Sequence, residues 1–348
     1  MFFASDNGGP VHPQIMQALT AANEGYRVGY GADAEMDRVR DMVREIFEAP
    51  EAAVYLVPTG TAANSLALAT MCKPWETIFC STRAHIHEDE CNAPEFYSGG
   101  AKLTLVGEGD KMTPEALRTS ILLEENRGVH GPQRGPLSIT QVTELGHVYT
   151  LDEIQALTAV AKEYGMSSHL DGARFTNAMI TLGCSAAEMT WKAGIDAVSF
   201  GGTKNGCMGV EAVVLFDPSL AWEFELRRKR GAHLFSKHRY LSAQMLGYLE
   251  GDLWLETARQ ANDSCARLAE GMRAIDGVNF TTTPEANLFF AELPRRLHKK
   301  AFEAGAYYYI MSGELEGDDP EEMLLARFVA DWSIGAEGVD ALLAAFNA

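Results

Sequence analysis

The stretch DAVSFGGTKNGCMG, residues 196–209, decides how this chain is read. A short apolar run (Ala197, Val198, Phe200) meets Gly201, Gly202, Thr203 and Lys204 at once, and a second glycine turn follows. Runs of that length bounded by glycines predict a buried strand ending in a tight turn. Lys204 then sits at the carboxyl edge of a strand, where open α/β sheets place their ligands. A lysine confined there, its pKa lowered by desolvation or neighbouring cations, has an amine that can attack a carbonyl and form a Schiff base. The glycines at 201, 202 and 206 are expected to let the backbone approach a ligand closely. The plain alternative is an exposed loop lysine, and the surrounding chain has to choose.

Just upstream, SSHLDGARFTNA (167–178) predicts a strand at Ser168–Leu170, ended by Asp171 and turned at Gly172, with Arg174 three residues beyond Asp171. Further upstream AVYLV (53–57) reads as a buried strand, followed by Pro58, Thr59, Gly60 and Thr61 and a helix from Ala62 to Met71. A strand, a short turn and a helix start present backbone N–H groups and a positive dipole end to a phosphate. The alternative is a plain N-cap at Thr61. After a strand at Thr77–Cys80 comes a run of ionisable groups, among them Arg83, His85, His87, Asp89 and Glu90. His85 and His87 are two apart, which is not a metal-ligand spacing, so no metal is expected. His85 suits proton transfer, or a flat ring stacked on another. Tyr30, between two glycines, is either a ligand-facing aromatic or a loop anchor.

Further strands at 102–106, 136–140 and 211–216, with helices between and a loop over 126–135, predict a mostly parallel sheet with helices on both faces. From about Thr257 the pattern changes. A helix at 257–275, strands at 278–281, 288–293, 306–311 and 323–329 (holding Arg327), and helices at 294–304 and 336–347 predict a smaller α+β unit. The expected domains are 1–250, whose N-terminal segment reaches the active site, and 251–348.

Composition narrows the partners. The 348 residues carry 29 basic and 48 acidic side chains, a net charge of −19, which argues against nucleic acid or an anionic membrane as partner. Six cysteines without a CxxC pair read as reduced thiols, and neither a signal peptide nor a membrane-length apolar run is visible. A cytoplasmic protein is expected.

One cofactor asks for a strand-end lysine, an aspartate on a neighbouring strand end, a phosphate-sized turn and a flat ring together. Pyridoxal phosphate forms a Schiff base with lysine, needs a carboxylate at its pyridine nitrogen, and seats its phosphate on a helix N-terminus. Arg174 and Arg327 are then natural bidentate partners for a substrate carboxylate.

With SDN at 5–7, GYGAD at 29–33, PTGTAAN at 58–64, AH at 84–85, HLDGAR at 169–174, the Lys204 stretch and ARF at 326–328, the chain resembles the L-threonine aldolases of the aspartate-aminotransferase-like, fold type I enzymes. These lie close to the aromatic amino acid β-eliminating lyases. The resemblance implies a fold type I α/β large domain and a homotetramer, a dimer of dimers with shared active sites. It makes Lys204 the Schiff-base lysine and Asp171 the pyridine-nitrogen partner. Thr59, Gly60 and Thr61 would hold the phosphate, joined by Lys237 from the basic stretch 224–239 of a neighbouring subunit. His85 would stack on the ring and take the substrate's hydroxyl proton. Ser5, Tyr30, Arg174 and Arg327 would bind substrate, with Arg174 also near the cofactor. Where many relatives carry a histidine in an Asn-Thr-His-Asn-Gly-like loop, this chain has Thr143, Glu144, Leu145 and Gly146, so Glu144 joins the substrate residues. The implied activity is cleavage of threonine, allo-threonine or a larger β-hydroxy amino acid such as phenylserine to glycine and an aldehyde. β-Elimination or transamination on the same scaffold is the alternative, and a non-catalytic protein of this fold is the alternative of another class.

Overall fold

Short runs of β-branched and aromatic residues become strands where helices on both sides can bury them. The computed structural model describes residues 1–125 and 127–347. Asn126, first residue of the loop expected over 126–135, lies outside them. Seven strands, β1 (Ala53–Val57), β2 (Glu76–Ser81), β3 (Lys102–Val106), β4 (Gln133–Thr140), β5 (Ser168–Gly172), β6 (Ala197–Gly201) and β7 (Glu211–Leu215), form one sheet in the order β1-β7-β6-β5-β4-β2-β3. Only β7 runs against its neighbours; β2 to β6 are parallel, and β1, antiparallel to β7, shares their direction. This is the mostly parallel α/β sheet expected.

A second sheet, β8 (Asn279–Phe280), β9 (Leu288–Pro294), β10 (Tyr309–Ser312) and β11 (Met323–Val329), is antiparallel in the order β10-β11-β9-β8. Its core joins Phe289 and Phe328 to Leu268, Leu297 and Phe346 from three helices. One of these, Leu253–Arg273, also reaches the large sheet's helix Phe175–Leu182, where Asn177 donates to Asn262 at 3.0 Å. The N-terminus belongs to this second core as well. Phe3 is fully buried in it, donates its N–H to Tyr307 and accepts from Val329.

Several expected boundaries move, each for a physical reason. Asp171 and Gly172 continue β5 rather than ending it, because both pair with β6, opposite Ser199 and Phe200. β4 begins at Gln133, three residues inside the expected loop, since Glu76 and Thr77 of β2 pair with its first residues. The helix expected from Ala62 starts at Gly60, and its cap is Thr59 rather than Thr61: the Thr59 hydroxyl accepts from Ala62 N–H at 3.2 Å. Part of the basic stretch forms the helix Ala221–Arg230.

Phe200 of β6 centres the packing beneath Lys204. Its ring meets Phe47, Phe175 and Trp254 edge-on, with centroids 5.6, 5.4 and 5.7 Å away. Aromatic pairs in that arrangement add to area burial. Phe200→Ala is expected to lower unfolding free energy by about 3–5 kcal/mol, read from the shift of the urea midpoint.

Candidate active site

Five parallel strands end along one edge, and each delivers a residue within a few positions of its end. After β1 come Pro58 to Thr61, after β2 His85, after β4 Glu144, with β5 Asp171 and Arg174, and after β6 Lys204. The turn beyond Lys204 folds back on the first of these: a Cβ at Gly209 would lie 3.5 Å from the Pro58 carbonyl. At the start of the helix Gly60–Met71, the N–H groups of Gly60 and Thr61 have no intrahelical acceptor. Asp171 is buried; its Oδ1 accepts from Ala173 N–H at 3.2 Å, and its Oδ2 has no hydrogen-bond partner. On the same face of β5, two residues back, His169 bridges the Ser138 and Ser199 hydroxyls at 3.0 Å each. Burial pushes His169 down to about 4, so it is a neutral strut.

His85 stands between acids. Its Nδ1 lies 3.3 Å from Glu144 Oε1 and 3.7 Å from Asp89 Oδ2, and its Nε2 lies 3.9 Å from Glu90 Oε1. Against burial, the Glu144 contact and the Asp171 charge hold His85 above its ordinary value. Against its own burial, Glu144 is held down at about 2 by His85 first, then by the Arg174 and Lys204 charges. His85, Asp89 and Glu144 place ligating atoms within 4.8 Å of one another. Both carboxylates converge on the same imidazole nitrogen, which is the geometry of an ion pair, so they receive no metal assignment.

Asp6, absent from the expected site, is a main organiser of it. Arg174 donates to it through Nε at 2.7 Å and Nη2 at 3.1 Å, and Asn287 adds a bond at 3.1 Å. Against burial, Arg174 and Lys204 hold Asp6 below the usual carboxylate range. This corrects the reading of Arg174 as a free bidentate clamp, because two of its donors are already engaged. Arg327 is less committed: its Nη2 donates to Ala4 carbonyl at 3.2 Å and its buried Nε has no partner. Ser5, next to Ala4, accepts from Asn7 N–H at 3.2 Å.

The glycines after β6 serve the protein's own packing, not only a ligand. A Cβ at Gly201 would collide with the Ala173 carbonyl, and one at Gly202 would come within 2.7 Å of the Val210 carbonyl. Gly202 N–H donates to the buried Glu211 at 2.7 Å. The ionisable neighbours within reach of Lys204 are chiefly acids (Asp6, Glu90, Glu144 and Glu211), so of the two expected influences, desolvation or neighbouring cations, the second is not what this edge mainly supplies. Tyr30 and Lys237 are exposed within this chain, on two loops joined by the Tyr30 N–H to Ser236 carbonyl bond. Among the described residues, neither hydrogen-bonds to the groups at the sheet edge. Sequence reasoning passed over Asp6, Asn64, Glu90 and Asn287. Asp6 lay inside the SDN motif, Asn64 at the end of PTGTAAN and Glu90 inside the ionisable run, but nothing local marks Asn287.

The beta-eliminating lyase family matches residues 3–293 of this chain. The low specificity L-threonine aldolase of Pseudomonas aeruginosa is 40% identical over 338 residues, 97% of this chain and 94% of that protein. The enzyme of the same name from another Pseudomonas is 42% identical over 95% of this chain and 92% of its own length. Among solved structures, Leishmania major threonine aldolase superposes with a TM-score of 0.91 over 99% of this chain and 98% of its own, at 23% identity, which speaks for the fold. Motif order, sheet-edge geometry and full-length likeness agree: the chain belongs to the beta-eliminating lyase family, whose enzymes depend on pyridoxal phosphate.

Proposed function

We propose that this protein is a pyridoxal-phosphate aldolase that cleaves L-threonine, L-allo-threonine or a related L-β-hydroxy-α-amino acid to glycine and an aldehyde. The observation that carries the reading is Asp171 Oδ2, a buried acceptor with no protein partner, at the sheet edge that also bears Lys204. A buried polar atom left unsatisfied costs about 1–3 kcal/mol, and this one suits a protonated ring nitrogen. The start of the helix at Gly60 and Thr61 suits a phosphate, and the Lys204 amine suits the cofactor's aldehyde. When bound, the cofactor supplies an electron sink for the pair released as the Cα–Cβ bond breaks.

The chain's own residues do the positioning and the proton handling. Arg327 and Ser5 would hold the substrate carboxylate, with the remaining Nη1 edge of Arg174 able to reach one further oxygen. His85 would accept the hydroxyl proton in its neutral form, its basicity raised by Glu144. Occupying the position where many relatives have a histidine, Glu144 would also face the substrate's β-carbon end. In this reading the protein works in the cytoplasm as a dimer of dimers, with Lys237 reaching a neighbour's phosphate. Tyr26, Val28, Tyr30 and Phe235, exposed on the same pair of loops, support burial against another subunit.

Three measurements test this reading. Purified protein is expected to bind pyridoxal phosphate with a visible absorbance band that Lys204→Ala abolishes together with turnover; a colourless protein that takes up no added cofactor overturns it. Incubated with threonine, allo-threonine and phenylserine, it is expected to release glycine and the matching aldehyde, whereas ammonia and a keto acid would assign elimination instead. Because the raised His85 must lose its proton to act as base, turnover is expected to rise with pH along an acid limb above 6.5. Glu144→Gln removes the main stabiliser of the imidazolium, so the limb moves to lower pH and the plateau drops roughly 100-fold. An unmoved limb would take the pair out of the proton step.

A further inference from the structure

Behind His85 lies a polar pair that the proposed reaction does not use. Glu90 follows the short helix His85–Glu88, and its side chain is completely buried. Asn64, buried on the helix Gly60–Met71, donates Nδ2–H to Glu90 Oε1 at 2.9 Å. The other atom of each group, Asn64 Oδ1 and Glu90 Oε2, is also buried and has no partner. Both are acceptors if Glu90 is ionised, and two orphaned acceptors on one amide and one carboxylate are a costly arrangement. A single proton on Glu90 removes the conflict, because a carboxylic acid and a carboxamide match as two antiparallel hydrogen bonds. Reversing the amide does not help: its oxygen would then face Glu90 Oε1 across the 2.9 Å contact, and that pairing of two oxygens also needs the acid proton.

We propose that Glu90 is a positioning residue held as a neutral acid in a cyclic two-bond pair with Asn64, which keeps a second negative charge away from Asp171. The charged groups facing Glu90 are Asp171 from β5, His85 from its own segment and Lys204 from the turn after β6. Burial, then the Asp171 charge, push Glu90 up to about 7, against the Asn64 bond and the two cations. The purpose given to the pair, leaving Asp171 as the carboxylate that faces the cofactor, rests on the function proposed above. The acid–amide pair itself does not.

The test compares Glu90→Gln, which keeps both hydrogen bonds without a titrating proton, with Glu90→Ala. Infrared difference spectra of wild type minus Glu90→Gln, taken near pH 6, are expected to show the C=O stretch of a buried protonated carboxyl. The folded chain holds this proton more tightly than the unfolded chain, so wild-type Tm is expected to fall between the ordinary 4.5 and about 7. That fall shrinks in Glu90→Gln. Glu90→Gln is expected to retain cofactor affinity within a few-fold, while Glu90→Ala loses roughly tenfold. Absence of the infrared band, or a Tm profile unchanged in Glu90→Gln, overturns the pair. A band present in a protein that binds no pyridoxal phosphate would sustain the pair and refute the proposed function instead.

Discussion

The two-pronged contact between Asp6 and Arg174 ties together parts of the chain that are distant in sequence. Arg174 follows β5 in the large sheet, Asp6 belongs to the N-terminal segment, and Asn287, which also bonds Asp6, precedes β9 of the small sheet. Asn287 donates in addition to the Ala330 carbonyl just beyond β11. Both ions are buried, so neither has water to replace its partner. Breaking such a pair from one side typically costs 3–5 kcal/mol, about the scale of a large core truncation. The placement of Ser5, and of the Ala4 carbonyl that Arg327 meets, is therefore tied to an ion pair between other residues.

Around that pair the edge of the large sheet holds several acids that do not all carry charge alike. Glu144, touching His85 and facing Arg174 and Lys204, is held firmly ionised at about 2. Glu90 and Glu211, more deeply buried and facing fewer cations, are each pushed up to about 7 by burial. The same residue type thus takes opposite roles according to its burial and to how many cations face it. An overall charge of −19 says nothing about this division. It arises from where the fold sets each acid relative to those cations.

Much of the large sheet is legible in the sequence because its strands are short apolar runs closed by glycine, proline or a polar cap. β1, β3 and β6 fall within a residue of where those runs place them. Boundaries fail where pairing overrides local punctuation: Gly172 reads as a turn yet stays in β5, since Phe200 offers it a ladder partner. Lys204, Asp171, His85 and the Thr59–Thr61 turn are visible because each lies at or just beyond the end of an apolar run in a composition that suits one cofactor. Asp6 and Asn287 are not, because their importance comes from meeting each other across 281 positions of sequence separation. Arg174 shows the same limit from the other side, since its residue type announces a carboxylate partner without saying whose.

The placement of the N-terminal segment also bears on how the protein is made. Phe3 lies between Tyr307 and Val329, donating to the first and accepting from the second, so this early segment has no docking place until β11 has been synthesised. The large sheet can assemble from nearer neighbours well before that, while Ser5 and Asp6 wait. The joining of the N-terminal segment to the lysine edge is in this sense a late event of folding, and a chain stopped short of β11 would carry that edge without it.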